Sequence, residues 1–247
     1  MRFNTKWQNE TEKSLYVYQD QSPVTQRQFF YRQYWRLVDF HLHMADIYKK
    51  EHPQVLDLGC GRGTISEYLT FDRHLKPCLV DNSKKALDLA WGNLFKWGVD
   101  RFIKAEATEL PFSDSSFDAI ISVGLAEHID DYVLFIDEQL RVLKGGGVIV
   151  CFIIPNKFSP QVLNVFGSDK YHRTSIDVDQ YRRVITENPQ VSYETKVEWI
   201  NYFPLFTPIP KCWERPITWL YEKITNLIGF KGPKLLCQTA ILTIKKF

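Results

Sequence analysis

Residues 55–58, Val-Leu-Asp-Leu, read as a buried strand, and Gly59-Cys60-Gly61-Arg62-Gly63 follows directly. Glycines at alternate positions make a turn without Cβ atoms. A ligand can lie there against bare backbone and face the N–H groups of a helix N-terminus. In the dinucleotide fingerprint G-x-G-x-x-G the third glycine would fall at position 64. Thr64 stands there and the glycine comes one residue early, which argues against a dinucleotide oxidoreductase. Acids follow at regular places. Asp57 precedes the turn. Asp81 ends the next apolar run, about 20 residues beyond the turn, where a carboxylate at a strand tip accepts hydrogen bonds from both hydroxyls of a ribose. Asp81 also suits the N-cap of the helix that follows it. Glu106 opens Glu106-Ala107-Thr108-Glu109-Leu110-Pro111-Phe112, and Gly124-Leu125-Ala126-Glu127-His128 follows a fourth apolar run. An imidazole at the carboxyl edge of a sheet has the right pKa for a general base, so His128 is the catalytic candidate. Glu127 fits three roles: orienting His128, binding a metal, or standing as a surface carboxylate.

Together with Leu143-Lys144-Gly145-Gly146-Gly147 before the apolar run 148–154, these segments resemble the ordered motifs of class I S-adenosylmethionine (SAM) methyltransferases. The nearest resemblance is to the small-molecule group that includes the ubiquinone and menaquinone biosynthesis methylases (methyltransferase type 11). Glu127-His128 and Pro155-Asn156 are most similar to its O-methylating ubiquinone branch. The resemblance spans about 55–154 and fades toward both ends. It implies SAM as cofactor, held by Arg36, Asp57, Gly59, Cys60, Gly61, Gly63, Asp81, Asn82, Glu106, Ala107 and Leu125. In that reading Glu106 stands where the family usually has the aspartate that accepts from the adenine amino group. Arg36 falls near the arginine that reaches the cofactor's carboxylate, with a spacing to Gly59 a few residues longer. The acceptor implied is a small apolar or aromatic molecule methylated at oxygen. A tRNA or rRNA base methylase and a catalytically silent SAM-fold partner are the rival readings. The Asp/Asn-Pro-Pro-Tyr/Phe signature of amino-methylating nucleic-acid enzymes is absent after the fourth strand.

These residues need a scaffold, and the pattern supplies one. Strands at 54–58, 76–81, 101–106, 118–123 and 147–154 alternate with helices at 63–71, 83–97 and 131–143. Continuous apolar strands alternating with helices mean a parallel sheet covered on both faces. The crossover helix between the third and fourth strands is missing, because 107–116 is short and turn-rich. Before the sheet, Thr25 can cap a helix to about Lys50, with Phe30, Tyr34, Leu37, Val38, His41, Ala45 and Tyr48 on one face. After it come a helix at 177–187 with Ser175 near its cap, and strands at 191–203 and 236–245. The expected fold is α/β: a doubly wound, mostly parallel, seven-stranded Rossmann-like sheet with an antiparallel last strand. One domain covers 1–247: an N-terminal helical extension (1–50), the SAM-binding core (51–155) and substrate-side elements with the closing strands (156–247).

About thirty residues separate the last two strands, far more than a hairpin needs. They include a candidate helix, 213–228, with Trp213, Ile217, Leu220, Ile224, Leu227 and Ile228 on one face and Gly229 at its end. That face could pack on the domain, cover an apolar substrate, or contact a membrane surface with help from Trp219, Tyr221, Lys211, Lys231 and Lys234. Tyr171-His172-Arg173 falls where family substrate loops lie, and His172 is a second candidate base. At 45% hydrophobic and 24% charged residues, the chain has enough apolar surface for a globular core. A formal charge of +2 gives no electrostatic case for nucleic acid as partner. The five cysteines show no metal spacing and no paired pattern, so no metal is expected and a reducing, cytoplasmic setting is. No run of about 18 apolar residues and no signal-peptide core is present in the sequence.

Overall fold

A computed structural model describes residues 26–153, 176, 178–187, 192–200, 210–228 and 239–247. Along the chain run α1 (Gln26–Met44), β1 (Val55–Leu58), α2 (Thr64–Arg73), β2 (Cys78–Asp81), α3 (Lys84–Leu94), β3 (Phe102–Lys104), β4 (Phe117–Val123), α4 (Tyr132–Val142) and β5 (Leu143–Ile153). They continue through α5 (Val178–Thr186), β6 (Tyr193–Ile200), α6 (Lys211–Ile228) and β7 (Thr239–Lys246). The seven strands form one sheet in the order β3-β2-β1-β4-β5-β7-β6. The first five are parallel, and β7 runs antiparallel between β5 and β6. The doubly wound α/β expectation therefore holds, as does the absence of a helix between β3 and β4.

Strand periodicity splits the core in two. Leu56, Leu58, Ile120, Cys151 and Leu242 face Phe135, Leu140, Tyr181 and Ile185 of α4 and α5. Their neighbours Val55, Ile121, Val150, Phe152 and Ile241 face the other way, onto Tyr34, Trp35, Val38 and Leu42 of α1 and Ile65 and Leu69 of α2. Both faces are covered, so the central strands are apolar along most of their length, with Asp57, Asp81, Asp118 and Ser122 as the polar exceptions in β1, β2 and β4. Asp118, at the foot of β4, is structural: its carboxylate accepts from Lys50 Nζ (2.5 Å), Lys144 Nζ (2.8 Å) and the Gln54 N–H (2.8 Å).

Three boundaries differ from the sequence reading. The first helix stops at Met44; Asp46 adopts a left-handed conformation (φ 55°) and a 3₁₀ turn, Ile47–Lys49, follows. The helix read to 97 ends at Leu94, and Phe95–Trp97 form a 3₁₀ turn closed by Gly98 (φ 81°). The strand read from 147 begins at Leu143, directly after α4. Three consecutive glycines do not hold a helix, and a Cβ on Gly147 would meet the Asp118 carbonyl oxygen at 2.9 Å; Leu143 pairs with Phe117 and Val148 with Ala119, with a register shift between the two pairs. The caps expected at 25, 175 and 229, together with 155–156, 171–173, 231, 234 and 236, lie outside the described residues.

The largest departure concerns α6. It does pack on the domain, against α1, but through its polar side. Thr218 and Glu222 are buried (4% and 6% exposed), with Tyr221 edge-on to Phe29 at 5.4 Å and Glu222 beside Arg32 and Arg36. Its apolar stripe faces outward. Among the described residues, no helix is long and apolar enough to cross a membrane.

Candidate active site at the carboxyl edge of the sheet

The site begins at the end of β1. The Gly59 and Cys60 N–H groups donate to the Val80 carbonyl (2.8 and 3.0 Å), which pins the turn against β2. Gly63 N–H returns to the Cys60 carbonyl (2.9 Å), and α2 starts at Thr64. Gly59 is left-handed (φ 69°), and a Cβ there would strike Leu125 Cδ2 at 2.8 Å. The glycine thus lets the loop after β4 close onto the turn. Gly61, also left-handed (φ 56°), directs its N–H at Asp81 Oδ2 (2.9 Å).

Asp81 does not cap α3. Ser83 does, its Oγ accepting from the Ala86 N–H. Asp81 accepts one backbone hydrogen on each oxygen, from Gly61 N–H and from Ser83 N–H (2.8 Å). A carboxylate has about four lone-pair positions, more than these two backbone donors use. Beside it, the Asn82 amide donates to Glu106 Oε2 (3.1 Å), joining the ends of β2 and β3 at an exposed rim.

Asp57 is buried below the turn and accepts from Ser66 Oγ (2.6 Å), tying β1 to α2. Burial pushes its carboxyl up from 3.8 to about 6, against the Ser66 hydrogen bonds and with a further push from the Asp81 charge. The unfolded chain ionises this group first, so the native state holds the extra proton between those values. Stability of the ligand-free protein should fall as pH rises from about 4 to 6, by roughly 3 kcal/mol, and remain lower above that. Asp57→Asn should remove that slope. Denaturant titrations at both ends of the window test this; an unchanged slope in the variant contradicts it.

Opposite the acids, a 3₁₀ turn (Ala126–His128) follows β4. His128 lines the cleft with Leu125 and Ile129, and its N–H donates to the Leu125 carbonyl (2.9 Å). Glu127 turns the other way and is 4% exposed. The surface-carboxylate reading of Glu127 is therefore corrected. Burial raises the Tyr34 phenol and the Cys151 thiol, and the Glu127 charge raises both further. Among the described residues, no cluster of three acidic, histidine or cysteine side chains is arranged to hold a metal.

These groups surround one cleft that opens to solvent. Asp57, Gly59, Cys60, Gly61, Asp81, Asn82, Glu106, Ala107, Leu125 and His128 all line it. Gly63 lies behind the turn, where a Cβ would meet Leu94 at 2.8 Å. Arg36 is not in the lining; its guanidinium lies 3.6 Å from Glu222 of α6. The α1 residue in the cleft is Tyr31, held by stacking on Trp35, which stacks in turn on Tyr68 and donates to the Thr64 carbonyl. Sequence reasoning missed Tyr31, Arg62 and Ile129. Arg62 sits inside a recognised motif and Ile129 just beyond one; Tyr31 gave no signal except its place in an aromatic helix.

Strand order, glycine turn and strand-end acids together define the fold of a class I SAM-dependent methyltransferase. Residues 56–151 match the family model described as a methyltransferase domain. Among curated relatives, the uncharacterized methyltransferase YcgJ of Bacillus subtilis is 30% identical over 162 residues, 61% of either chain. Demethylmenaquinone methyltransferase of Clavibacter sepedonicus is 41% identical over 103 residues, 40% of either chain. Norajmaline N-methyltransferase of Rauvolfia serpentina is 29% identical over 121 residues, 47% of this chain and 41% of the other. The chain thus spans between two-fifths and three-fifths of the length of these relatives. A SAM-dependent methyltransferase structure from Archaeoglobus fulgidus superposes with a TM-score of 0.56 at 18% identity, covering 86% of this chain and 94% of the other. Residues 56–151 are thus similar to a methyltransferase domain, on a sheet with the fold of the SAM-dependent methyltransferases. The residues present suit SAM: the strand-tip carboxylate of Asp81 and the left-handed Gly61 line the cleft together, an acid beside bare backbone where a ribose-bearing ligand would lie.

Proposed function

We propose that this protein is a SAM-dependent methyltransferase acting on a small apolar or aromatic acceptor, at oxygen, with His128 as general base. SAM, when bound, supplies a methyl group activated on a sulfonium. Asp81 holds the ribose side, Gly59 and Gly61 leave the backbone open to the ligand, and Asn82 and Glu106 form the rim. Leu125, Ile129 and Tyr31 give the cleft apolar surface for the acceptor.

One observation carries the reading: His128 lines the same cleft as the glycine turn, next to Leu125 and Ile129. A phenol or carboxylic acid placed there loses its proton to the imidazole as the oxygen attacks. Such a base contributes about 10²–10⁴-fold. His128→Ala should lower kcat by that factor, flatten the acidic limb of the pH–rate profile and leave SAM affinity unchanged. The measurement is S-adenosylhomocysteine release with a panel of phenols, quinols and acids. Equal rates in variant and wild type remove His128 from the reaction.

An amine acceptor is the second reading, favoured by the similarity to an N-methyltransferase; amines in the same panel decide it. We place the protein in the cytoplasm, with a peripheral membrane contact through 213–228. Free cysteines at 60, 78, 151 and 212 support a reducing compartment.

A further inference from the structure

We infer that α6 docks this protein on an anionic lipid surface through its outward apolar stripe, which deepens the peripheral contact proposed above and rests on it. A helix on a water-soluble domain ordinarily turns its apolar side to the core. Here the order is reversed. Thr218 and Glu222 face α1, while Trp213, Ile217, Leu220, Ile224 and Leu227 are between 40% and 88% exposed. Patches of this kind mark interaction surfaces.

The packing partners explain the reversal. Glu222 is set between Arg32 (3.4 Å) and Arg36 (3.6 Å) on the outward side of α1. Burying the carboxylate beside two guanidinium groups fixes the rotation of α6 and leaves its apolar stripe pointing away. Tyr31 lines the cleft, whereas Phe29, Arg32 and Arg36 carry α6, so α1 stands between α6 and the substrate. A lid over the cleft does not fit this arrangement. At four-residue steps beyond Arg32 and Arg36, α1 also exposes Phe40 and Met44.

Charge selects the occupant. One of the two α6 acids within the described helix, Glu222, is turned inward and matched by two arginines. Outward remain Arg215 and Lys223, the latter with its ammonium 5.9 Å from the Trp219 ring, against Glu214 alone. Exposed tryptophans beside basic side chains suit the headgroup region of an anionic leaflet.

The test is co-sedimentation of the full-length protein with phosphatidylcholine vesicles, with and without phosphatidylglycerol, while SAM affinity is measured on the same preparations. Wild type should bind the anionic vesicles, more weakly at high salt. The double variant Trp213→Ser/Leu220→Ser should lose roughly tenfold or more of that binding and keep wild-type SAM affinity. Wild-type protein that binds SAM but neither vesicle overturns the docking and leaves the methyltransferase reading standing. So does equal vesicle binding by the double variant. A dimer in solution that the same substitutions dissociate, without vesicle binding, assigns the stripe to a second copy and also overturns it.

Discussion

Gly61→Val is expected to abolish measurable SAM binding. Gly61 has φ 56° and lines the cleft between Cys60 and Arg62. A β-branched residue at positive φ is a steric outlier, and the strain is about 1–3 kcal/mol. If the loop instead relaxes to negative φ, its N–H leaves Asp81, and the turn, strand tip and cleft lose their registration together. Either way the new side chain occupies the bare backbone that the ligand must approach. The affinity loss should be on the order of 100-fold or more, about 2.7 kcal/mol. Calorimetry on a variant shown to be folded by circular dichroism checks it. A folded Gly61→Val protein with wild-type affinity would remove the turn from the binding site.

Asp81→Ala should produce two separable losses. SAM affinity should fall by roughly 1–3 kcal/mol, because the ribose hydroxyls lose a charged acceptor. The ligand-free protein should also be destabilised by roughly 1–3 kcal/mol, because the Gly61 and Ser83 N–H groups lose the carboxylate that accepts from both. Asp81→Asn separates the two. Its single carbonyl oxygen satisfies one N–H and restores part of the stability, but it cannot serve two N–H groups and two hydroxyls. Chemical denaturation alongside titration reads each quantity. Unchanged SAM affinity in folded Asp81→Ala would show that the carboxylate serves only the turn.

Much of the fold was legible because its signals are local. The apolar runs at 55–58, 78–80 and 118–123 are strands wherever they are placed, and glycines at 59, 61 and 63 punctuate them. The acids at 57, 81 and 106 end up around one cleft because parallel strands all deliver their carboxyl ends to the same edge. What was not legible depends on partners distant in sequence. Nothing in residues 211–228 says that Glu222 would meet Arg32 and Arg36, so the helical pattern gave the stripe but not the side that faces the domain. The same contact takes Arg36 to α6 while Tyr31, five residues earlier and on the inner side of α1, reaches the cleft. Glu127 and His128 are adjacent in sequence, yet across the 3₁₀ turn Glu127 is buried outside the cleft lining and His128 lines the cleft. A period rule cannot resolve a turn of that length. Leu143 was misplaced because helix and strand meet there without a loop.

The central claim is that the carboxyl edge of this sheet binds SAM for methyl transfer. Isothermal titration of the wild-type protein with SAM tests it most directly, followed by competition with S-adenosylhomocysteine. Saturable binding of one SAM per chain, displaced by S-adenosylhomocysteine and weakened in Asp81→Ala, is the predicted result. A folded wild-type protein that takes up no SAM, or one whose affinity is indifferent to Asp81 and Gly61 alike, would contradict it.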